Sequence, residues 1–263
     1  MKSFPTLTIA GSDPSGGAGI QADLKVFHQH KVYGMSVITL LTVQNTRSVE
    51  RVEMVRPGFV VDQLKAVISD IPPKAAKTGA LGSPEIIEAL ISRAGKFDFP
   101  LIIDPVMISK HGSPLLDDDG CKLMKKELLP FGYLVTPNIP EARVLSERDI
   151  FDQKSLERAA RSISLLGVKN VLIKSGHLPE ETVDTLWHNG SPHLLPGEHF
   201  DTENTHGTGC VFSAAITAQI SRGTKLTIAV HRAKKFIAQA IKTNPELGQG
   251  YGPVNMLVEP ELD

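Results

Sequence analysis

The sequence predicts an α/β domain built on a largely parallel sheet with helices on both faces. Two observations predict it. Short apolar β-type runs alternate with helix-period segments from one end of the chain to the other, the mark of βαβ units. The 263 residues suit one α/β domain and show no repeat, low-complexity stretch or linker, so residues 1–263 are read as a single domain.

The elements follow in order. Thr6 to Ala10 is a short β-type run, and Gly11 to Gly19 is a turn-rich loop. Ile20 to His30 reads as a helix. Tyr33 to Val43 is a long apolar run rich in β-branched residues, which fits a buried strand. Val49 to Val55 alternates and suits an edge strand. Phe59 to Ile71 has helical spacing and stops at Pro72-Pro73. Ala75 to Thr78 is a short strand. Ser83 caps a helix with Pro84 at its first position, running to about Ala94.

Pro100 to Asp104 is a compact strand ending in a carboxylate, and Pro105 to Pro114 is loop. Asp117 to Leu129 reads as a helix whose acidic start suits the helix dipole. Tyr133 to Thr136 is a strand broken by Pro137. Ser155 to Leu166 is an amphipathic helix, and Asn170 to Lys174 a strand. Thr182 to Trp187 with His193 to Leu195 suggests an antiparallel pair. A helix then runs from the Gly-rich stretch near 207 to Ser221, ended by Gly223. Thr227 to Lys242 is the last helix.

Composition narrows the function. A net charge of −1 argues against a nucleic-acid binder that relies on bulk charge. Aromatics at 5% leave little for base-stacking platforms. No apolar run is long enough to span a bilayer, and the N-terminus lacks a signal-peptide pattern. Cys121 and Cys210 form no ligand-spaced cluster, so a reducing, cytoplasmic setting is expected, with no membrane and no nucleic acid as partner.

In open parallel sheets ligands bind beyond the C-terminal strand ends. That rule singles out Gly11-Ser12-Asp13, Gln44-Asn45, Gly79-Ala80, Asp104-Pro105-Val106, Pro137-Asn138 and Ser175-Gly176. The first loop is neither a P-loop nor a dinucleotide fingerprint, yet its glycines precede a helix and could cradle a ligand. Asp23 lies within that helix, with surface solvation as its plain alternative. The Gln44 amide both donates and accepts, which suits a heteroaromatic ring edge, although it could equally end the strand.

Asp104 ends an apolar strand, where a carboxylate needs a partner. Glu141, beside Asn138, offers a second one. Two carboxylates with room for water suit Mg²⁺, whereas turn capping and a helix N-terminal carboxylate are the bland readings. Lys174 could meet phosphate oxygens, or be a surface lysine.

The sharpest stretch is Asn204-Thr205-His206-Gly207-Thr208-Gly209-Cys210. A polar loop punctuated by Gly207 and Gly209 runs into an Ala-rich helix, and such a helix start binds anions. Cys210 sits where the dipole is expected to lower its thiol pKa and favour thiolate. Its plain alternative is a buried structural cysteine. His206 is expected only to shape the loop.

These segments, in this order, resemble the hydroxymethylpyrimidine/phosphomethylpyrimidine kinases of thiamine biosynthesis over nearly the whole chain. The matching stretches are Leu7 to Lys25, Val43 to Thr46, Asp104 to Met107, Thr136 to Ala142, Lys174 to His177, Asn204 to Cys210 and Gly252 to Asn255. The resemblance implies a ribokinase-like three-layer α/β/α sandwich. It implies MgATP-dependent phosphorylation of 4-amino-5-hydroxymethyl-2-methylpyrimidine and then of its monophosphate, and a homodimer.

It also implies the roles. The pyrimidine would lie near Gly11, Asp23 and Gln44, with Val106 lining the pocket. Mg²⁺ and phosphates would lie near Asp104, Asn138, Glu141 and Lys174. Gly207, Thr208, Gly209 and Cys210 would form the anion hole, with Cys210 at the position where related kinases carry an aspartate base. Gln44 is the alternative for handling the hydroxyl proton, and Cys210 is preferred. Two residues depart from the family pattern: Ala80 stands where Met usually covers the pyrimidine, and Met256 where a His often stands.

A pyridoxal kinase of the same fold is the runner-up, disfavoured by Gln44 and by the absence of a Cys in the 108–114 loop. A non-catalytic ligand sensor is weaker still, because Asp104, Glu141, Lys174 and Cys210 are all present.

Overall fold

The computed structural model describes residues 3–108, 112, 114–176, 183–198 and 200–262. Nine strands form one sheet in the order β3-β2-β1-β4-β5-β6-β7-β8-β9. The strands are β1 (Pro5–Ser12), β2 (Tyr33–Gln44), β3 (Val49–Met54), β4 (Ala75–Thr78), β5 (Leu101–Ile103), β6 (Leu134–Val135), β7 (Val171–Ile173), β8 (Asp184–His188) and β9 (Ser191–Leu195). From β2 across to β7 every pairing is parallel. Antiparallel strands close both edges.

The helices are α1 (Gly19–Gln29), α2 (Pro57–Asp70), α3 (Pro84–Ala94), α4 (Asp118–Leu123), α5 (Ile139–Ser146), α6 (Gln153–Ser164), α7 (Thr208–Ser221) and α8 (Leu226–Lys242). They lie on both faces of the sheet, giving the three-layer sandwich that the sequence predicts. Leu7, Ile9, Ile103, Val135 and Ile173 pack one face against α2, α3, α5 and α6. Ala75, Ile102, Leu134 and Leu172 pack the other against α1, α7 and α8. Each fully buried Leu or Ile contributes roughly 1.5–3 kcal/mol, so the two layers are the main source of stability. Helix α7 is buried from Val211 to Ser221. A helix apolar on all sides belongs inside, and its Ala residues let it lie close to the sheet.

Local chemistry explains the boundaries. The Ser83 side chain accepts from Ile86 N and Pro84 opens α3, as expected. Asn189 and Gly190 both have positive φ, which suits the two-residue turn joining β8 to β9. The proposed strand start at Thr182 and the motif residue His177 lie outside the described residues, as do 109–111 and 113 of the 105–114 loop.

Two expectations change. Helix 117–129 is not uniform: α4 gives way to a π turn over Met124–Leu128 and a 3₁₀ turn over Leu129–Phe131. Pro130 lacks the N–H an α-turn needs, and the altered winding buries Met124, Leu128 and Leu129 together. Strand β2 is buried only where β1 covers it. Beyond Leu40 it pairs with β3 as a projecting ribbon, leaving Leu41 and Val43 exposed.

Among the described residues no helix is long and apolar enough to cross a membrane. The parallel strands bring the ends of β1, β4, β5, β6 and β7 to one rim, facing the N-terminus of α7.

Candidate active site

Asp104 leaves β5 pointing at α7. Its Oδ2 accepts from Ser213 Oγ at 3.0 Å, and its Oδ1 from Thr136 Oγ1 at 3.3 Å and Lys174 Nζ at 3.4 Å. It is 2% exposed, so the burial that threatens a lone carboxylate is met by one cation and two hydroxyls. A Cβ at Gly209 would lie 3.5 Å from Lys174 Nζ and 3.9 Å from Asp104 Oδ2. Gly209 is therefore where the helix start touches the charged cluster. Burial opposes the Lys174 ammonium, but Asp104, Glu141 and Cys210 hold its pKa above the ordinary value.

Asn138 and Glu141 form a capping box on α5. Glu141 N donates to Asn138 Oδ1 at 2.9 Å, and Asn138 N to Glu141 Oε2 at 2.8 Å. The helix-start role that sequence offered as the plain alternative is thus realised. The same carboxylate also faces the cluster. Burial pushes Glu141 up to about 7 against the pull of Lys174, and the Asp104 charge adds to the push. Two buried carboxylates repelling each other beside one lysine fit a small divalent cation that keeps its waters. Among the described residues no group of three or more His, Cys, Asp or Glu side chains is placed to hold a metal ion.

The loop that opens α7 packs main chain to main chain on the loop after β1. Gly207 has φ +79, and a Cβ there would sit 1.8 Å from Gly17 O. Thr208 N donates to Thr205 O at 3.3 Å and Val211 N to Gly207 O at 2.8 Å. The amides of Gly209 and Cys210 are first-turn donors without an intrahelical acceptor, which is the anion-binding feature.

Cys210 overturns one expectation. Burial pushes its thiol up to about 12, opposed by the Lys77 charge and by a hydrogen bond with the Gly19 backbone, and reinforced by Asp23 and Asp104. Desolvation is the largest influence on this thiol and favours its protonated form in the ligand-free chain.

On the other wall, β1 carries a bulge at Gly11, where a Cβ would lie 2.5 Å from Leu40 Cδ1. Gln44 is half-buried at the end of β2, close enough to Asp13 to favour its charge. Ala80 is half-buried, its carbonyl accepting from Thr39 Oγ1 at 2.6 Å. Val106 follows Asp104 and is also half-buried. Asp23 differs from expectation. It is wholly buried, with both oxygens on Lys77 Nζ at 2.9 and 2.8 Å and a bond from Thr8 Oγ1 at 2.6 Å. It offers no surface to a ligand and acts as a counterion beneath the site.

Sequence reasoning missed Lys77, Ser213, Thr136 and the position of Asp13. Lys77 stands in a short apolar strand, where a lysine with no water access was the available signal. Ser213, three residues after Cys210, was the other.

Three comparisons bear on this geometry. A family model described as Phosphomethylpyrimidine kinase matches residues 13–255. The thiamine biosynthesis bifunctional protein ThiED of Geobacter sulfurreducens is 46% identical over 257 residues, covering 97% of this chain and 52% of that protein. The chain therefore spans about half the length of that relative. The hydroxymethylpyrimidine/phosphomethylpyrimidine kinase of Staphylococcus aureus strain MSSA476 is 42% identical over 253 residues, covering 95% of this chain and 92% of the relative. Among solved structures, an ADP complex of Bacillus subtilis pyridoxal kinase superposes with a TM-score of 0.90 at 36% identity, covering 97% and 98% of the two chains.

Proposed function

The chain belongs to the phosphomethylpyrimidine kinase family, and we propose that it transfers the γ-phosphoryl group of ATP to the hydroxymethyl oxygen of 4-amino-5-hydroxymethyl-2-methylpyrimidine. A second transfer to the monophosphate gives the diphosphate used in thiamine biosynthesis. The observation that carries this reading is the meeting of Asp104, Lys174 and Glu141 with the glycine-opened start of α7.

Phosphoryl transfer asks the protein mainly for positioning and charge stabilisation. On this reading the helix start from Gly207 to Cys210, with Thr208 in it, takes the charge on the transferring group through the amides of Gly209 and Cys210. Lys174 meets phosphate oxygens, and the Asn138 side-chain NH₂ is the end left for the nucleotide. Asp104 and Glu141 would hold Mg²⁺, which when bound neutralises charge on the β- and γ-phosphates. A cavity of about 560 Å³ between β9 and α8, lined by Leu195, Phe200, Lys234 and Ala238, suits the nucleoside. Lys234 reaches Asp184 at 2.8 Å, and Asp184 accepts from Ser175 N at 2.7 Å, beside Lys174.

The acceptor lies between Gly11, Val106 and Ala80, its ring edge on the Gln44 amide. Cys210 is the base on this reading, and it takes the hydroxyl proton only after its own thiol has been ionised. Burial opposes that thiolate, whereas Lys77 and the Gly19 backbone favour it. The exposed Leu41, Val43 and Met54 on the β2–β3 ribbon offer an apolar surface for a homodimer, which sedimentation equilibrium tests.

The resemblance to a pyridoxal kinase structure keeps pyridoxal as the second reading. ATP consumption with identified products decides between them. The pyrimidine and its monophosphate are expected to be turned over, with pyridoxal far slower. Turnover of pyridoxal without turnover of the pyrimidine would overturn the main reading.

A further inference from the structure

The two walls of the site come from distant parts of the chain, and one carboxylate joins them. Asp13 is 2% exposed. Its Oδ1 accepts from Ser15 N at 2.8 Å and Ser15 Oγ at 2.7 Å. Its Oδ2 accepts from Gly17 N at 3.1 Å and Ala18 N at 2.8 Å, and lies 2.8 Å from His206 Nε2 across 193 residues of sequence. Gln44 lies nearby and favours its charge. Burial works against the charge, but the bonds from His206 and Ser15, with Gln44 beside them, hold the Asp13 carboxyl well below the usual carboxylate range. An ionised carboxylate only accepts, so His206 Nε2 carries the proton and donates.

The contact is one link in a ring. His206 N donates to Gly252 O at 3.0 Å, and Gly252 N to Asn204 Oδ1 at 3.1 Å. Tyr251 N donates to Thr46 O at 2.8 Å, two residues past Gln44. The ring thus runs Asp13, His206, Gly252, Tyr251 and Thr46, then back along β2 past Gln44 to Thr42, whose Oγ1 donates to Ser12 O at 2.9 Å. It contains the acceptor wall at Gln44 and abuts the anion-binding wall at Gly207. It also gives a use to the Gly252-Pro253 segment.

We propose that Asp13 and His206 are positioning residues: their hydrogen bond locks the loop after β1 to the loop that opens α7, fixing the separation between the acceptor oxygen and the phosphoryl group. This rests on the kinase reading above. A misplacement of about 1 Å is enough to lower a transfer rate by about 10²-fold, so a lock of this kind acts on kcat more than on binding.

The test compares His206→Leu, which removes the donor, with His206→Gln, whose amide nitrogen replaces Nε2. In His206→Leu, kcat is expected to fall about 100-fold with both KM values within about threefold of wild type. ADP formed per phosphorylated product is expected to rise, because a misregistered phosphoryl group goes to water. His206→Gln is expected to restore most of kcat and the coupling ratio. Wild-type kcat in His206→Leu, a rise in KM alone, or no rescue by Gln would overturn the proposal. If His206→Leu does not fold, His206→Asn, too short to reach Asp13, takes its place with the same expected readings.

Amide exchange at Gly17 and Ala18, measured without substrates, is independent of turnover. It is expected to quicken about tenfold or more in the Leu variant and to stay near wild type in the Gln variant, as loss of a local hydrogen-bonded unit should. Unchanged exchange in the Leu variant overturns the lock. A wild-type protein that phosphorylates neither vitamer defeats the kinase reading, and exchange then decides the lock by itself.

Discussion

Gly207 and Gly17 are packed backbone to backbone, so that a Cβ on Gly207 would sit 1.8 Å from the Gly17 carbonyl oxygen. No rotamer change relieves such a contact, because both partners are main chain. The relationship fixes the anion-binding start of α7 against the loop after β1, and it is the most sensitive point of the site.

Gly207→Ala is therefore expected to fail twice. Its φ of +79 disfavours any L side chain, and the two loops must separate. A loss of more than about 1 kcal/mol of stability is expected, since Ala at positive φ costs at least that much. Thermal unfolding reads the stability, and kcat at a temperature where the variant stays folded reads the loop separation. A wild-type kcat would show that the loops can part without consequence.

The thiol of Cys210, pushed up to about 12, gives a pH prediction with a definite sign. Below that pH the thiol stays protonated, and at pH 7 the thiolate is on the order of one part in 10⁵. Alkylation of Cys210 by iodoacetamide in the ligand-free protein should therefore climb about tenfold per pH unit between 7 and 10. Cys210→Ala is expected to lower kcat by about 10²-fold or more if the thiolate is the base. Full activity in that variant would remove the base assignment and leave the anion hole intact.

The buried pair of Lys77 and Asp23 predicts a double-mutant result. Both side chains have zero exposure and their contact is 2.8 Å. Lys77→Met strands the Asp23 charge and should cost about 3–5 kcal/mol, the usual penalty for breaking a buried pair from one side. Lys77→Met with Asp23→Leu should be markedly more stable than Lys77→Met alone. Urea denaturation midpoints measure both, and additive losses would contradict the pairing.

Glu141 sets stability against function. Its pKa is pushed up to about 7 by burial, against the Lys174 charge, with the Asp104 charge adding to the push. A carboxyl with a raised folded pKa is most favourable while protonated. Its contribution is lost as pH rises from the unfolded value near 4.5 through 7. Glu141→Gln keeps the capping geometry and removes the charge, so the ligand-free variant should melt higher than wild type at pH 8 and similarly at pH 4. Mg²⁺-dependent activity should be lost in the same variant, and in wild type the apparent Mg²⁺ affinity should rise from pH 6 to pH 8, because the ligand must be ionised. Equal melting at both pH values would contradict the raised pKa.

Much of the architecture was legible because it is local. The Ser83 cap, the Pro72-Pro73 stop and the alternation in Val49 to Val55 each act within one turn or one strand. The rule that parallel strands present their C-terminal ends together turned those elements into a list of candidate residues, and Asp104, Lys174, Glu141 and Gly209 do meet. The conversion of helix 117–129 to π and 3₁₀ turns was not legible, because it depends on which side chains the core accepts around Pro130.

The sequence by itself determined the α/β alternation, the glycine-opened helix start and the acidic and basic strand ends, since each depends on residues within a few positions of one another. Only the tertiary structure decided that Asp23 is sealed under Lys77, that burial pushes the Cys210 thiol up, and that Asp13 finds His206 across 193 residues. Desolvation and long-range pairing depend on what the fold packs around a group, and no spacing along the chain encodes that.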